Sequence, residues 1–165
     1  MLSLTNDLEV NVKIIYHCFG GTHSSITAAA IHLGWLPEKE APPAYRFMEL
    51  PYFDRRDGWD QGEIVFMGKD RQGNEVYAVG WGSASSMLTS LIDDLAGLFE
   101  IDRGSCRLVN VMKQVNLMMK IGGFMSRRLK AVRVGRPIVI YGARLAYRSI
   151  RSLVHKVQWE VGRPV

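Results

Sequence analysis

Short apolar runs alternate with amphipathic segments along the chain, and this alternation predicts its secondary structure. Residues 12–19 (VKIIYHCF) are β-branched and aromatic and precede two glycines, which is typical of a buried strand. Residues 24–34 (SSITAAAIHLG) then predict a helix that begins at small polar residues and ends at a glycine. The apolar runs at 63–68 and 75–81 are joined by the turn-forming KDRQGN, so we expect a β-hairpin there.

The second half of the chain continues this alternation. The predicted elements are a helix over 83–99, a strand over 106–112, a helix over 115–132 that contains paired glycines, a strand over 136–142 and an amphipathic helix over 143–161. The segment between the first helix and the hairpin is Pro-rich and acidic, and it contains one predicted short strand at 45–50.

Strands that are nearly continuous apolar runs, alternating with helices, indicate the fold class. They predict an α/β layered fold with a mostly parallel sheet flanked by helices, to which the hairpin adds an antiparallel element. The length of 165 residues suits a single domain over 1–165, in which residues 1–11 form a loosely held arm. The pattern does not determine the strand order.

Composition points to a cytoplasmic protein. Hydrophobic residues make up 47% of the chain and charged residues 22%, which is ordinary for a globular domain. No apolar run is long enough to cross a membrane, and the start of the chain lacks the pattern of a signal peptide. Two cysteines, Cys18 and Cys106, are too few for a disulfide framework, so we expect a reducing compartment.

The formal net charge of +5 is unevenly distributed. Residues 120–156 contain ten Lys or Arg and no acid, whereas many acids lie within 38–70. This asymmetry predicts one electropositive face, whose partner is a phosphate-bearing ligand, a nucleic acid, an acidic protein or the acidic half of the same chain. Aromatic residues are sparse among these arginines, with Tyr141 and Tyr147 beside them, so base stacking is not supported.

The junction HCFGGTHSS, where the first strand meets the first helix, is the candidate binding site. Paired glycines allow the backbone to approach a ligand closely, and a helix N-terminus presents free N–H groups and a partial positive charge to an anion. We expect this loop to bind phosphate, sulfate or a carboxylate; the alternative is that its hydroxyls only cap the helix. The candidate anion-binding residues are Gly20, Gly21, Thr22, Ser24 and Ser25.

Three further residues are candidates for catalysis. Cys18 lies near the predicted helix N-terminus, which favours the nucleophilic thiolate, although a free cysteine there can also be a small buried hydrophobe. His23 is a candidate proton-transfer group. Arg144 directly follows the predicted strand 136–142, so it could reach the same sheet edge and supply a guanidinium; the alternative is a solvated basic helix face.

Metal binding is not predicted. His17, Cys18 and His23 supply ligand-type side chains, but adjacent strand residues point to opposite faces and no CxxC or HExxH pattern occurs. We expect no metal and no cofactor. A second stretch, VGWGSASS at 79–86, repeats the order of strand, glycines, serines and helix; it is either another anion contact or a plain turn capped by Ser83.

CFGGTHSS resembles the phosphate loop of low-molecular-weight tyrosine phosphatases, in which a cysteine, five residues, an arginine and a serine follow the first strand. The resemblance implies that Cys18 is the nucleophile and that Ser25 supports it. Ser24 occupies the arginine position, and no Asp follows Asp102 to match the late general acid of those enzymes. The loop also resembles that of sugar-transport IIB proteins, which carry phosphate on cysteine and need no arginine.

A longer resemblance covers IIYHCFGGTHSSITAAAIHLGWLP and MGKDRQGNEVYAVG, in this order. These segments are similar to an uncharacterised bacterial family catalogued as domain of unknown function 3189. The resemblance implies a small cytoplasmic protein of spore-forming and related bacteria, with no established activity.

The sequence therefore predicts a phosphorylated or other anionic small ligand in the loop, with phosphoryl hydrolysis or transfer through Cys18 as the leading hypothesis. The alternative is a non-catalytic nucleotide- or phospholigand-binding module whose basic carboxyl-terminal half docks a protein or nucleic-acid partner.

Overall fold

The structure, a computed structural model, describes residues 11–56 and 60–162, so most of the predicted arm lies outside the described residues. The strands are β1 (Lys13–Cys18), β2 (Val65–Lys69), β3 (Glu75–Gly80) and β4 (Cys106–Asn110). The α-helices are α1 (Ser24–His32), α2 (Ala44–Glu49), α3 (Ser85–Leu98), α4 (Leu117–Gly123) and α5 (Val132–Val161). A π-helical turn, Phe124–Arg128, lies between α4 and α5.

The four strands form one open sheet in the order β2-β3-β1-β4. β1 is central and pairs in parallel with both β3 and β4, whereas β2 is antiparallel to β3. The predicted hairpin is confirmed, and its turn is held by the Asp70 carboxylate, which accepts hydrogen bonds from the backbone N–H groups of Gln72 and Asn74 at 2.9 Å. The α/β class is confirmed, with two of the three strand pairings parallel.

The two faces of the sheet are covered to different depths. Alternate residues of β1 point to opposite faces. Ile14 and Tyr16 belong to the main core beneath α1 and α5, whereas Ile15 belongs to a small cluster with Val79 and Trp81. Leu88 and Ile92 of α3 pack against that small cluster but are themselves only partly buried, and α3 has no fully buried residue.

The predicted strand at 45–50 is wrong. These residues form α2, because Phe47 and Leu50 lie on one side of a helical turn and both are buried in the main core. Their spacing of three residues suits a helix and would place them on opposite faces of a strand. The ring of Phe47 contacts the ring of Phe53, with centroids 5.5 Å apart.

The predicted strand at 136–142 is also wrong, because this segment lies inside α5. Glycines let α5 approach the preceding helical segment closely: a Cβ on Gly135 would come 2.3 Å from the Ser126 nitrogen, and one on Gly142 would come 2.6 Å from the Met119 nitrogen. The β-branched residues of the segment pack on this interface and on the core, so tertiary packing outweighs their strand preference. The predicted helix over 115–132 is correct only in part, since α4 ends at Gly123 and α5 begins at Val132.

The fold gathers the ends of three parallel strands at one edge. Trp81, just after β3, donates its backbone N–H to the carbonyl of Cys18 at 2.9 Å. Val111, just after β4, donates to the carbonyl of His17 at 3.0 Å. In an open α/β sheet this carboxyl edge is where ligands bind, so the loop that follows β1 is in the expected position for a site. Within the described residues, no helix is long and apolar enough to cross a membrane.

Candidate functional site

The loop after β1 winds around the sulfur of Cys18, and we call residues 19–23 the Cys18 loop. The Gly21 backbone N–H donates to Cys18 Sγ at 3.1 Å, and the Cys18 thiol donates to Ser25 Oγ at 3.2 Å. Cys18 and Ser25 are both buried. The sulfur therefore has one backbone N–H partner in the loop and one hydroxyl partner in the first turn of α1.

Two glycines, Gly21 in the loop and Gly80 at the end of the neighbouring strand β3, make this winding possible. Gly21 has a φ of +65°, in the left-handed region that favours glycine. A Cβ on Gly21 would lie 2.4 Å from the Gly80 nitrogen, and a Cβ on Gly80 would lie 2.5 Å from the Gly20 carbonyl carbon. The Cys18 loop and the end of β3 are thus in backbone-to-backbone contact.

The irregular segment at residues 52–56, before β2, is hydrogen-bonded to the Cys18 loop. Thr22 Oγ1 donates to the Tyr52 carbonyl at 2.9 Å, and the Thr22 carbonyl accepts from the Asp54 N–H at 3.1 Å. His23 Nε2 lies 3.0 Å from Asp54 Oδ1. The side chains of Thr22 and His23 therefore bind this segment, and neither is a free donor to a ligand through those atoms.

Asp54 links the Cys18 loop to the junction of α4 and α5. Its carboxylate is wholly buried and accepts from Ser126 Oγ at 2.8 and 2.9 Å and from Arg136 Nε at 2.7 Å. Arg127 Nε lies 3.2 Å from Oδ1. The backbone of Asp54 has a φ of +52°, which is unusual for a non-glycine residue, and these surrounding contacts maintain it.

Electrostatics keep Asp54 ionised. Burial alone would raise the pKa of this carboxyl, but hydrogen bonds from His23, Arg136 and Ser126 outweigh burial and hold the pKa well below its usual range. Asp54 is therefore unsuited to be a general acid at neutral pH. Burial lowers the pKa of His23, with partial opposition from Asp54, so the imidazole is neutral and donates Nε2–H to the carboxylate.

The second glycine–serine stretch has a different environment. Ser85 Oγ hydrogen-bonds His17 Nδ1 at 3.1 Å, and the rings of His17 and Trp81 stack with centroids 4.4 Å apart. The N-cap position of α3 is Ala84, which makes no side-chain cap, and Ser83 lies in the 3₁₀ turn before it. His17 lies on the α3 side of the sheet and Cys18 on the α1 side, and the described residues contain no cluster of His, Cys, Asp or Glu able to hold a metal ion.

The structure brings together the predicted residues from Cys18 to Ser25 but not Arg144. Arg144 lies in the middle of α5 and lines a groove with Lys39 and Arg148. No hydrogen bond or ion pair joins it to the Cys18 loop among the described residues. The expectation that Arg144 follows a strand is wrong, because the strand that would have carried it to the sheet edge is helical.

Several site residues carried no signal in the sequence. Asp54, Arg127 and Arg136 are far apart along the chain, and only the packing of α4 and α5 unites them. Arg56 is also buried; its backbone N–H lies 3.4 Å from Thr22 Oγ1, and its guanidinium donates to the carbonyl of Asp60 at 2.8 Å. Arg56 Nη1 has no hydrogen-bond partner in the part of the chain that the structure describes.

The fold and site define a class: an α/β protein whose central parallel strand ends in a loop wound around a cysteine, next to a helix N-terminus. The family described as "Protein of unknown function (DUF3189)" matches residues 13–159, nearly the whole described chain, and the protein belongs to this family. Neither the curated proteins nor the solved structures include a match to this chain.

Proposed function

We propose that this protein binds a phosphoryl group, or a similar tetrahedral anion, in the Cys18 loop and that Cys18 is the nucleophile of phosphoryl hydrolysis or transfer. The observation that carries the proposal is the pair of hydrogen bonds at Cys18 Sγ, one from the Gly21 N–H and one with Ser25 Oγ. The Gly21 N–H already donates to the sulfur, and the Ser25 hydroxyl, which accepts from the thiol, can rotate and donate to the sulfur once the thiol is ionised.

The start of α1 supports anion binding. Its N-terminal residue, His23, makes no side-chain cap, so no side chain of the helix start occupies the first backbone N–H groups. These groups and the helix dipole favour a negative charge beside Ser24 and Ser25. Both serines are buried in the protein, which reduces competition from water.

Arg56 is a candidate for the guanidinium that is missing at position 24. Its backbone contacts Thr22 of the loop, it is 5% exposed, and its Nη1 is free of hydrogen-bond partners among the described residues. Arg56 Nη2 already pairs with the Glu63 carboxylate at 3.2 Å, so Nη1 is the donor left for a ligand anion, and an unsatisfied buried donor is costly.

The proposed reaction has two steps. The Cys18 thiolate attacks phosphorus of a phosphomonoester, so that an S–P bond forms, the P–O ester bond breaks and the leaving oxygen takes a proton from water. Water, or an acceptor hydroxyl in a transfer reaction, then attacks phosphorus; the S–P bond breaks and the thiolate returns. The proton released in this second step has His23 Nδ1 as its candidate acceptor, since Nε2 is bonded to Asp54.

A non-catalytic binding module is the second candidate function. The observation that favours it concerns the two titratable groups that the described residues place at the loop: Asp54 is held ionised by its neighbours, and His23 is neutral. In this case the loop recognises a nucleotide or phosphorylated ligand and the basic residues of 120–156 dock an acidic protein or nucleic-acid partner.

Thermal unfolding with phosphate, sulfate and tungstate tests anion binding. A ligand present at 100 times its Kd stabilises the folded state by about 2.7 kcal/mol, which raises Tm by several degrees. We expect such a rise in the wild-type protein and its loss in Ser24→Glu, which places a carboxylate at the proposed anion position. Ser86→Glu is the matched control, because Ser86 is exposed in the first turn of α3.

If Ser24→Glu does not fold, NMR titration of the wild-type protein with phosphate tests whether the loop binds the anion. Phosphate should then shift the backbone amide signals of residues 20–25. No Tm rise and no such shifts with millimolar phosphate, sulfate or tungstate would exclude the anion-binding loop.

Hydrolysis of an aryl phosphate separates the two candidate functions. Catalysis predicts activity that Cys18→Ser abolishes and that Cys106→Ser retains, since Cys106 lies at the start of β4. If the wild-type protein binds the anion but hydrolyses no aryl phosphate, the binding module is favoured.

A further inference from the structure

A groove runs along the side of α5 that lies against residues 37–44, and no residue of the Cys18 loop lines it. It consists of two cavities of ≈ 380 Å³ and ≈ 300 Å³, and Arg144 lines both. The facing segment is held against α5 by Tyr147, whose hydroxyl donates to the Pro37 carbonyl at 2.5 Å. The groove is therefore bounded on its second side by fixed backbone.

One stripe of α5 forms the floor of both cavities. The helical residues along it are spaced three or four apart, so they lie on one face. They are Arg133, Pro137, Ile140, Arg144, Arg148 and Arg151.

The first cavity is lined mainly by apolar side chains. Pro137, Ile140 and Tyr141 form its walls, and Tyr141 is 56% exposed. Arg136, which also borders this cavity, is bonded to Asp54. This half of the groove therefore offers an apolar and aromatic surface to a ligand.

The second cavity is lined by cations without acidic partners. Lys39, Arg144 and Arg148 form no ion pair with any described residue, whereas Arg151 donates to the carbonyls of Glu38 and Lys39 at 2.6 and 2.7 Å. Glu38 and Glu40 flank Lys39 in the sequence, but neither lines this cavity. Like charges this close repel one another, and an anion between them relieves the repulsion.

We propose that this groove binds a small molecule that carries a phosphate or phosphonate group on an apolar or aromatic body. The anionic group lies between Lys39, Arg144 and Arg148, and the apolar body lies against Pro137 and Tyr141. Cavities of this size suit a small ligand, and the joined apolar and cationic halves match both parts of such a molecule. The proposal is independent of the Cys18 loop.

NMR titration of the ¹⁵N-labelled full chain with phenylphosphonate and methylphosphonate tests it. The two probes share a charged group that no phosphate-ester hydrolysis can remove, and they differ only in the apolar body. We expect saturable shifts at residues 39–41 and 141–148, with phenylphosphonate binding about tenfold more tightly because its ring buries apolar surface. Shifts at residues 20–25 would report the Cys18 loop separately, so each proposal can fail without the other.

The double variant Arg144→Gln/Arg148→Gln should weaken phenylphosphonate binding by about tenfold or more, because two charge-assisted contacts are lost. Both arginines are exposed, so the fold should be retained, and Arg71→Gln in the β2–β3 turn is the control of equal chemistry. Absence of shifts along the groove, equal binding by the double variant and the control, or equal affinity for both probes would overturn the proposal. So would groove shifts caused only by a short RNA, with an affinity that falls steeply with salt.

Discussion

Two loops follow neighbouring parallel strands at the same edge of the sheet, and their sequences are alike while their surroundings differ. The Cys18 loop joins β1 to α1, and the Trp81 loop (residues 81–84) joins β3 to α3; each lies next to glycines and leads into serines. The first surrounds a buried sulfur and is held by Asp54. The second lies beside a stacked His17–Trp81 pair and is linked to it through Ser85.

The difference arises from what covers each loop. The segment at 52–56 and the junction of α4 and α5 cover the Cys18 loop, and the buried Asp54 contacts side chains from both. The Trp81 loop leads into α3, which buries no residue fully and leaves Met87 and Leu98 more than half exposed. A local glycine–serine pattern therefore permits a tightly wound loop, and the covering elements decide how deeply that loop is buried.

The largest expected effect comes from Asp54→Ala. It leaves the imidazole of His23 and the guanidinium groups of Arg127 and Arg136 without their carboxylate, so we expect the free energy of unfolding to fall by about 3–5 kcal/mol. Urea unfolding measures it. Asp94→Ala on the exposed side of α3 should stay within about 0.5 kcal/mol of wild type. Equal losses in both variants would show that Asp54 does not hold the Cys18 loop.

Gly21→Ala should have the next largest effect. Gly21 and Gly34 both have positive φ values, +65° and +72°, but only at Gly21 would a Cβ meet backbone, 2.4 Å from the Gly80 nitrogen. We expect Gly34→Ala to cost about 1–2 kcal/mol for the left-handed conformation alone. Gly21→Ala should cost a further ~1–3 kcal/mol for the overlap. Equal Tm losses in the two variants would contradict the close contact between the Cys18 loop and β3.

Acid should destabilise the fold through His17, next to the Trp81 loop. Burial lowers the pKa of His17 to about 4, so between pH 6.5 and 4 the unfolded chain binds a proton there that the folded chain does not. Stability is therefore lost as the pH falls through this window, by about 1–2 kcal/mol at pH 5 from His17 alone. His17→Phe keeps a ring beside Trp81 and should show a smaller loss between pH 7 and pH 5 in urea unfolding. The same pH loss in both proteins would contradict this assignment.

The smallest effect is expected for Ser85→Ala, which removes the hydrogen bond to His17 and should cost about 0.5–1.5 kcal/mol. Ser86→Ala is the neighbouring control, since its side chain is exposed. In the anion titration, Ser85→Ala should respond like wild type. If Ser85→Ala loses the rise in Tm with phosphate, the Trp81 loop would also contact the bound anion.

Most of the fold could be predicted because its signals are local. The buried strand at 12–19, the helix after it and the hairpin with its Asn- and Gly-containing turn each depend on residues that are close in sequence. The segments at 45–50 and 136–142 could not be assigned in this way. Residues 136–142 are rich in β-branched residues, and close packing against α4 made them helical; at 45–50 the burial of Phe47 and Leu50 in one core, which the sequence does not show, distinguishes the helix from a strand.

The residues of the candidate site also fall into two groups, those that local sequence could predict and those that only the packing brings together. Gly20, Gly21 and the serines after Cys18 identified the loop, because a strand end followed by a helix start places their backbone in a known geometry. Arg144 was expected to serve this loop, but it borders a groove on α5 instead. The arginines bound to Asp54 are Arg127 and Arg136, which no local spacing could have connected with the loop.

The sequence by itself determined the first strand, the helix after it, the hairpin and the position of the cysteine loop, because backbone preferences and turn residues act over a few positions. Only the tertiary structure decided which charged groups gather around that loop and which remain for the groove on α5. A buried carboxylate such as Asp54 is stable only when donors and cations surround it. Those groups lie on segments distant in sequence, so the packing of the helices determines which of them reach it.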